Sequence, residues 1–460
     1  MYFCGDPSIG SYIKLRREKE MKMCRAAFTV CLIVLLLVTS LVGCGSKEPA
    51  HNIAEGQAGT SDKVEIKFLH SWPRPEANAY FQEVITAFEK DHPNIKVKME
   101  AVGDEAIKDK LRVMMGTNSQ PDIFFSWSGE FANNFIQSNN SLDLTEAFEK
   151  DTDWKNRITR SAIEPFTYDG KIYGVPLRTN AKFFVYNKDI FEKNNLSEPR
   201  TWDEFLYVLE ELKQSGVTPI SFGNIYPWAG CHYITGLNQK LVPENIREKD
   251  YDPAGGEFSH YGYIEAIEYL KDLVDKGYFN NGFNSIEHNM AIEMFYSGET
   301  AMMYLELIEF GEVDKDFKGN EWGFFPLPAI EDGKGNQNHI TGAPDGFMIS
   351  SKTKYPDEAI AFLKFLTSQE MGEKLVTTLG WPSAVIGALN ENNAEPYLIK
   401  GMKALEEADD MALWLDTDIH IKISDVYLPG LQEVLNGRKT PEALMKEVQE
   451  IAKKVKEEIY

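Results

Sequence analysis

Hydrophobic and polar positions alternate in a rhythm that changes period along the chain. Val64, Ile66 and Phe68 alternate with Glu65 and Lys67, the period-two signature of a strand with one wet face. From Asn78 to Asp91 the period becomes helical, with Tyr80, Phe81, Val84, Ile85 and Phe88 on one face. His92-Pro93-Asn94 breaks that helix. Ile95, Val97 and Met99 predict a second strand, and Ile107, Leu111, Met114 and Met115 a second helix. Pro121 to Phe125 then reads as a short, fully apolar strand. Strand, helix, strand, helix, buried strand is an α/β order with a parallel sheet. The second half repeats the rhythm. It has a strand over Phe183 to Tyr186 and helices over Trp202 to Gln214, Tyr261 to Lys276 and Asp357 to Thr367. A last helix opens with Thr440 as N-cap and Pro441 at its first position, and carries Leu444, Val448, Ile451, Ala452, Val455 and Ile459 on one face. In open parallel sheets, ligands collect beyond the carboxyl ends of the strands. That rule draws His70-Ser71-Trp72 and Ser126 to Glu130 towards one cleft mouth.

The pattern before Lys63 is of another kind. Basic residues (Lys14, Arg16, Arg17, Lys19, Lys22, Arg25) precede an uncharged run from Ala26 to Val42, which ends in Leu41-Val42-Gly43-Cys44. That is the layout of a secretory signal. The cysteine resembles the lipobox of bacterial lipoproteins, which implies cleavage of residues 1–43 and acylation of Cys44. Residues 44–62 hold small and polar side chains and read as a solvated tether. An uncleaved transmembrane helix is the alternative, since the run is close to the roughly 17–25 residues a span needs. The start codon stays open between Met1, Met21 and Met23.

Composition narrows the function. The net charge is −23, and residues 1–43 carry six basic and three acidic side chains, which leaves −26 on the remainder. Such a surface repels nucleic acid and anionic lipid. Of five cysteines only Cys231 lies beyond Cys44, so no intrachain disulfide is expected in the mature chain. There is no Gly-x-Ser-x-Gly elbow, no Walker loop and no His-Glu-x-x-His, and the eight histidines are scattered. No metal and no cofactor is expected. A pair of catalytic carboxylates stays possible in so acidic a chain.

The chemistry that stands out is aromatic. Trp72, Trp127, Trp228, Trp381 and Trp414 all sit in loop-like contexts beside small or polar residues. An indole offers a flat apolar face and one donor, which suits the C–H face and hydroxyl rim of a sugar. The competing reading for each is packing against its own loop.

Several segments together resemble a known family. They are Tyr173-Gly174-Val175-Pro176 with Phe184 to Asp189, Thr201 to Phe205, Gly298 to Met302, Ile349 to Thr353 leading into Ala359 to Thr367, and Leu431 to Gly437 before Thr440-Pro441-Glu442. Their order resembles the extracellular solute-binding proteins, family 1, of carbohydrate ABC transporters, the maltose-binding-protein type. The resemblance implies a periplasmic-binding-protein-like (type 2) α/β fold, two lobes joined by three crossovers, with ligand in the cleft between them. It implies an N-terminal lobe of residues 63–178 and 318–375 and a C-terminal lobe of residues 179–317 and 376–460. It implies hinge closure, docking on membrane permease subunits, a monomer, no enzyme activity, and a lipid-anchored place on the extracytoplasmic face. Carried over residue by residue, it implies ligand contacts at Trp72, Trp127, Ser128, Glu130, Trp228, Trp381, Trp414 and Asp416. Asp345, in Gly342-Ala343-Pro344-Asp345-Gly346, would accept from a hydroxyl, and Arg178 would be either a ligand donor or a strut. The Trp414 region departs from the maltose-type pattern, so α-glucan specificity is not implied. A non-sugar solute (polyamine, peptide or chelate) and a surface glycan-degrading enzyme are the alternatives.

Overall fold

The computed structural model describes residues 63–117 and 120–459. The signal and tether expected over residues 1–62, Cys44 included, lie outside the described residues. Strands β1 (Val64–His70), β2 (Ile95–Ala101) and β3 (Ile123–Trp127) form where the alternation predicted them. Ile66 and Phe68 of β1 are buried while Glu65 and Lys67 face water. Helix α1 (Pro75–Asp91) buries Tyr80, Phe81, Val84, Ile85 and Phe88, and α2 (Asp104–Met115) follows β2. A short helix α3 (Glu130–Gln137) leaves β3.

The first sheet also takes β4 (Gly174–Arg178) and a distant strand, β9 (Asp345–Ile349), in the order β2-β1-β3-β9-β4. β1 is parallel to both β2 and β3, but β9 is antiparallel to both β3 and β4. The sheet is therefore mixed, where the sequence predicts a purely parallel one. Rings of Phe68, Phe81, Phe347 and Phe362 meet in its core, with centroids 4.8–5.5 Å from Phe68. Helices α8 (Pro356–Leu366) and α9 (Gln369–Leu379) cover this core.

The second sheet runs β8-β5-β7-β6, from β5 (Lys182–Asn187), β6 (Thr218–Ser221), β7 (Thr300–Glu306) and β8 (Trp322–Phe325). β5 is antiparallel to β7 and β8, and β6 is parallel to β7. Its core gathers Phe184, Phe205, Tyr304 and Phe325, under α4 (Trp202–Gln214), α5 (Trp228–Leu241) and α6 (Gly262–Asp275). The terminal helices α11 (Ile421–Leu435) and α12 (Pro441–Ile459) close the same core. Thr440 caps α12 by accepting from the Ala443 N–H at 3.2 Å. Ile459, assigned to its apolar face, is half exposed at the frayed end.

The chain crosses between the sheets three times: at Thr179–Ala181, between Phe325 and Asp345, and between α9 and the short helix α10 (Leu415–Asp418). The crossing segments bind one another. Ala343 N–H donates to the Asn180 carbonyl (3.1 Å) and Gly342 N–H to the Ala412 carbonyl (2.9 Å). At Gly342 the backbone of Asn180 and Ala181 occupies the place of a Cβ, so only glycine allows this approach. Residues 322–325 pair in the second sheet and α9 packs on the first core, so the return crossing ends at Asp345 rather than at residue 318.

Candidate functional site

The antiparallel insertion of β9 aligns three side chains at one edge of the first sheet. Asp345 opens β9, opposite Trp127 at the end of β3 and Arg178 at the end of β4. Trp72, two residues beyond β1, and Trp381 close over them. They border a cavity of about 560 Å³, which the second lobe walls with Trp228, His232, Glu306, Glu309, Trp414 and Asp416.

Arg178 and Asp345 are 4% and 5% exposed. The guanidinium grips the carboxylate with two parallel bonds, Nε to Oδ1 (2.9 Å) and Nη2 to Oδ2 (2.9 Å). Burial pushes the Asp345 carboxyl up and Arg178 pulls it down. The guanidinium carbon lies 4.6 Å from the Trp72 ring and 4.1 Å from the Trp381 ring. Asp345, expected to accept from a ligand hydroxyl, accepts instead from Arg178 in this structure.

The opposite wall is a ladder of alternating charge. Lys182 Nζ, 2% exposed, sits 3.5 Å from Glu306 Oε1, and Asn180 donates to the other Glu306 oxygen. His288 Nε2 and Glu309 Oε1 are 2.8 Å apart. Burial works to raise the Glu309 pKa, but His288 and Lys182 hold it well below the usual carboxylate range. Burial, helped by Lys182, keeps the His232 imidazole neutral. Trp414 lies over His232 with centroids 4.2 Å apart, and Trp228 is flanked by His232 and His288. Two ion pairs cross the cleft. Lys108 of α2 meets Asp416 of α10 (3.3 Å), and Arg74 meets Glu312 of α7 (Phe310–Asp316).

Of the residues singled out in the sequence, Trp72, Trp127, Arg178, Trp228, Asp345, Trp381, Trp414 and Asp416 all line this cavity. Their settings differ from the loops expected: Trp127 ends a strand, Trp228 opens α5, and Trp414 precedes α10. Ser128 and Glu130 are buried but are not part of its lining. They sit where α3 starts against α10, because the strand turns sharply at Gly129 (φ +73°). Asn180, His232, His288, Glu306 and Glu309 line the cavity and were not singled out. Glu306 ends β7, so the rule of carboxyl strand ends points to it, and His232 lies one helical turn beyond Trp228. Among the described residues no group of three or more His, Cys, Asp or Glu is placed to hold a metal ion, and no helix is long and apolar enough to cross a membrane.

Glu130 has its own signature. It accepts from Asn133 at 3.1 Å, its Oε1 has no partner, and burial, with Asp418 and Asp252 nearby, pushes its pKa up to about 7. The folded state then holds a proton that the unfolded chain releases near pH 4.5. Stability from this group is complete below that pH and is lost as pH rises towards 7. Glu130→Gln is expected to flatten that slope. Urea unfolding at several pH values between 5 and 8 checks it; an unchanged slope contradicts the assignment.

The bacterial extracellular solute-binding protein family model matches residues 72–373. A multiple sugar-binding protein of Streptococcus mutans is 28% identical over 380 residues, which span 80% of this chain and 85% of that one. An uncharacterized ABC transporter extracellular-binding protein of Pyrococcus horikoshii is 29% identical over 351 residues, 73% of this chain and 76% of its own. A chitin oligosaccharide binding protein of known structure superposes with a TM-score of 0.79 at 26% identity, over 86% of this chain and 99% of its own.

Proposed function

Because the chain belongs to the bacterial extracellular solute-binding proteins, a family of sugar-binding ABC-transporter components rather than enzymes, we propose that its cleft closes on a neutral oligosaccharide. The observation that carries this reading is the pairing of the wall. Indoles stand on both sides of the cavity, and each lining lysine or arginine (Arg74, Lys108, Arg178) is already held by a carboxylate that also lines it, two of them across the cleft. Among the described residues every lining lysine and arginine already has a carboxylate for its charge, which disfavours an anionic sugar, while hydroxyls find carboxylates, imidazoles and Asn180. The names of the Streptococcus and chitin-oligosaccharide relatives support the sugar class.

The ligand touches both lobes, so its binding energy favours the closed state, a population shift about the three crossing segments. The closed monomer then docks on the membrane permease of its importer. Cys44 carries the lipid that keeps it on the extracytoplasmic face, and labelling with a radioactive fatty acid, lost in Cys44→Ala, tests that. A cationic solute such as a polyamine is the second reading, favoured by four further lining carboxylates: Glu105, Glu287, Glu306 and Glu309.

A thermal-shift screen against chitotriose, xylotriose, maltotriose and raffinose, with spermidine and a tripeptide as controls, decides between them. A ligand at a hundred times its dissociation constant adds about 2.7 kcal/mol of stability. Shifts with the controls alone discard the sugar. Trp127→Ala, Trp228→Ala and Trp414→Ala are each expected to weaken binding of the sugar by about 1–3 kcal/mol, the cost of a lost aromatic anchor. Unchanged affinity in all three, by titration calorimetry, removes them from the site.

A further inference from the structure

We propose that Arg178 is the donor that anchors the ligand to the first lobe, and that Trp72 and Trp381 are the jaws that hold it rather than platforms for a sugar. The proposal rests on the carbohydrate reading above. A guanidinium has five N–H donors in a rigid plane. Asp345 takes Nε and Nη2, while Nη1 is buried without any protein partner, on a residue that borders the cavity. A buried N–H with no acceptor is costly, and a structure that keeps one beside a binding cavity has an acceptor still to come.

The side chain has no freedom to turn away. The bidentate pair fixes its plane, and indoles cover it at 4.6 and 4.1 Å. Trp72 is committed twice. Arg178 lies on it, Phe81 stacks on it with planes 7° apart and centroids 5.7 Å apart, and the residue is 9% exposed. It has no face left for a sugar ring. Trp381 packs against both Trp72 (5.1 Å) and the guanidinium. Arg178 therefore touches the ligand through Nη1, at a hydroxyl, carbonyl or ring oxygen, and the two indoles are positioning residues.

The test measures affinity for chitotriose, xylotriose, maltotriose and raffinose in the full chain and in Arg178→Lys. A lysine keeps the charge for Asp345 but has no second arm for the ligand. We expect the affinity of the bound sugar to fall about 10–100-fold, the usual worth of a charge-assisted hydrogen bond. Should Arg178→Lys not fold, Arg178→Met combined with Asp345→Asn removes both charges and is measured in its place. Trp381→Phe is then made in both backgrounds. A jaw that acts through Arg178 weakens binding in the wild type and has little further effect once Arg178 is lysine. An equal loss in both backgrounds overturns the jaw assignment. A folded Arg178 variant that binds the same sugar within about twofold overturns the donor and leaves the carbohydrate reading standing. No binding of any of the four sugars to the wild type overturns both.

Discussion

Replacing Asp345 with alanine is expected to lower the stability of the unliganded protein by about 3–5 kcal/mol. The cause is the charge left behind. Arg178 is 4% exposed, lies between two indoles, and has Asp345 as its ionic partner. Without the carboxylate, a guanidinium remains desolvated and unpaired at the end of edge strand β4. The pair itself need not be worth that much, because the cost of drying two charges offsets much of their attraction. Arg178→Met combined with Asp345→Leu is therefore expected to recover most of the loss. Urea unfolding checks both, with the midpoint shifting at constant slope. A loss under about 1 kcal/mol in Asp345→Ala would mean that water reaches the guanidinium.

Trp154→Ala should be comparably damaging, about 3–5 kcal/mol, for a reason unrelated to the cleft. Trp154 is completely buried and stacked on Phe148, with centroids 4.0 Å and planes 10° apart. Its indole N–H donates to Thr367 Oγ at 3.0 Å, which ties the segment before β4 to the end of α8. The substitution opens a cavity and removes the donor to the Thr367 hydroxyl, which keeps only its own bond to the Leu363 carbonyl (2.7 Å). Trp154→Phe keeps the stacking partner and gives up mainly the hydrogen bond, so about 1 kcal/mol is expected. Because Trp154 does not border the cavity, ligand affinity of the folded variant should match the wild type. A loss of affinity with intact stability would contradict this division of labour.

Local pattern made some elements legible and concealed others. Helix α4 runs over the residues its periodicity marks, because Thr201 and Glu204 form a capping box in front of a one-sided apolar face. Helix α5 left no such trace. Its residues beyond Trp228 are all buried, polar ones such as His232, Asn238 and Lys240 included, so no apolar stripe stands against a wet face. The family resemblance places Asp345 in a ligand loop over Gly342 to Gly346, whereas in the structure it opens strand β9. Its partners lie more than 160 residues earlier, and only that pairing makes it a strand. The same distance hid the commitment of Asp345 to Arg178. Sequence reasoning could gather the cleft residues because loops at strand ends share one rim. It could not show which of them were already bound to each other.

The placement of β9 also sets a timetable. The strand that joins β3 to β4 is among the last third of the chain to be made. At the usual 5–20 residues per second, roughly 10–40 s separate the synthesis of Trp127 from that of Asp345. Throughout that interval β3 has an open edge and the aromatic cluster around Phe68 lacks Phe347 and Phe362. Pairings so distant in sequence are slow to close even in a complete chain. The first sheet thus cannot be completed until Asp345–Ile349 has been made, so the nascent N-terminal segment is held short of its final fold well after its own synthesis has ended.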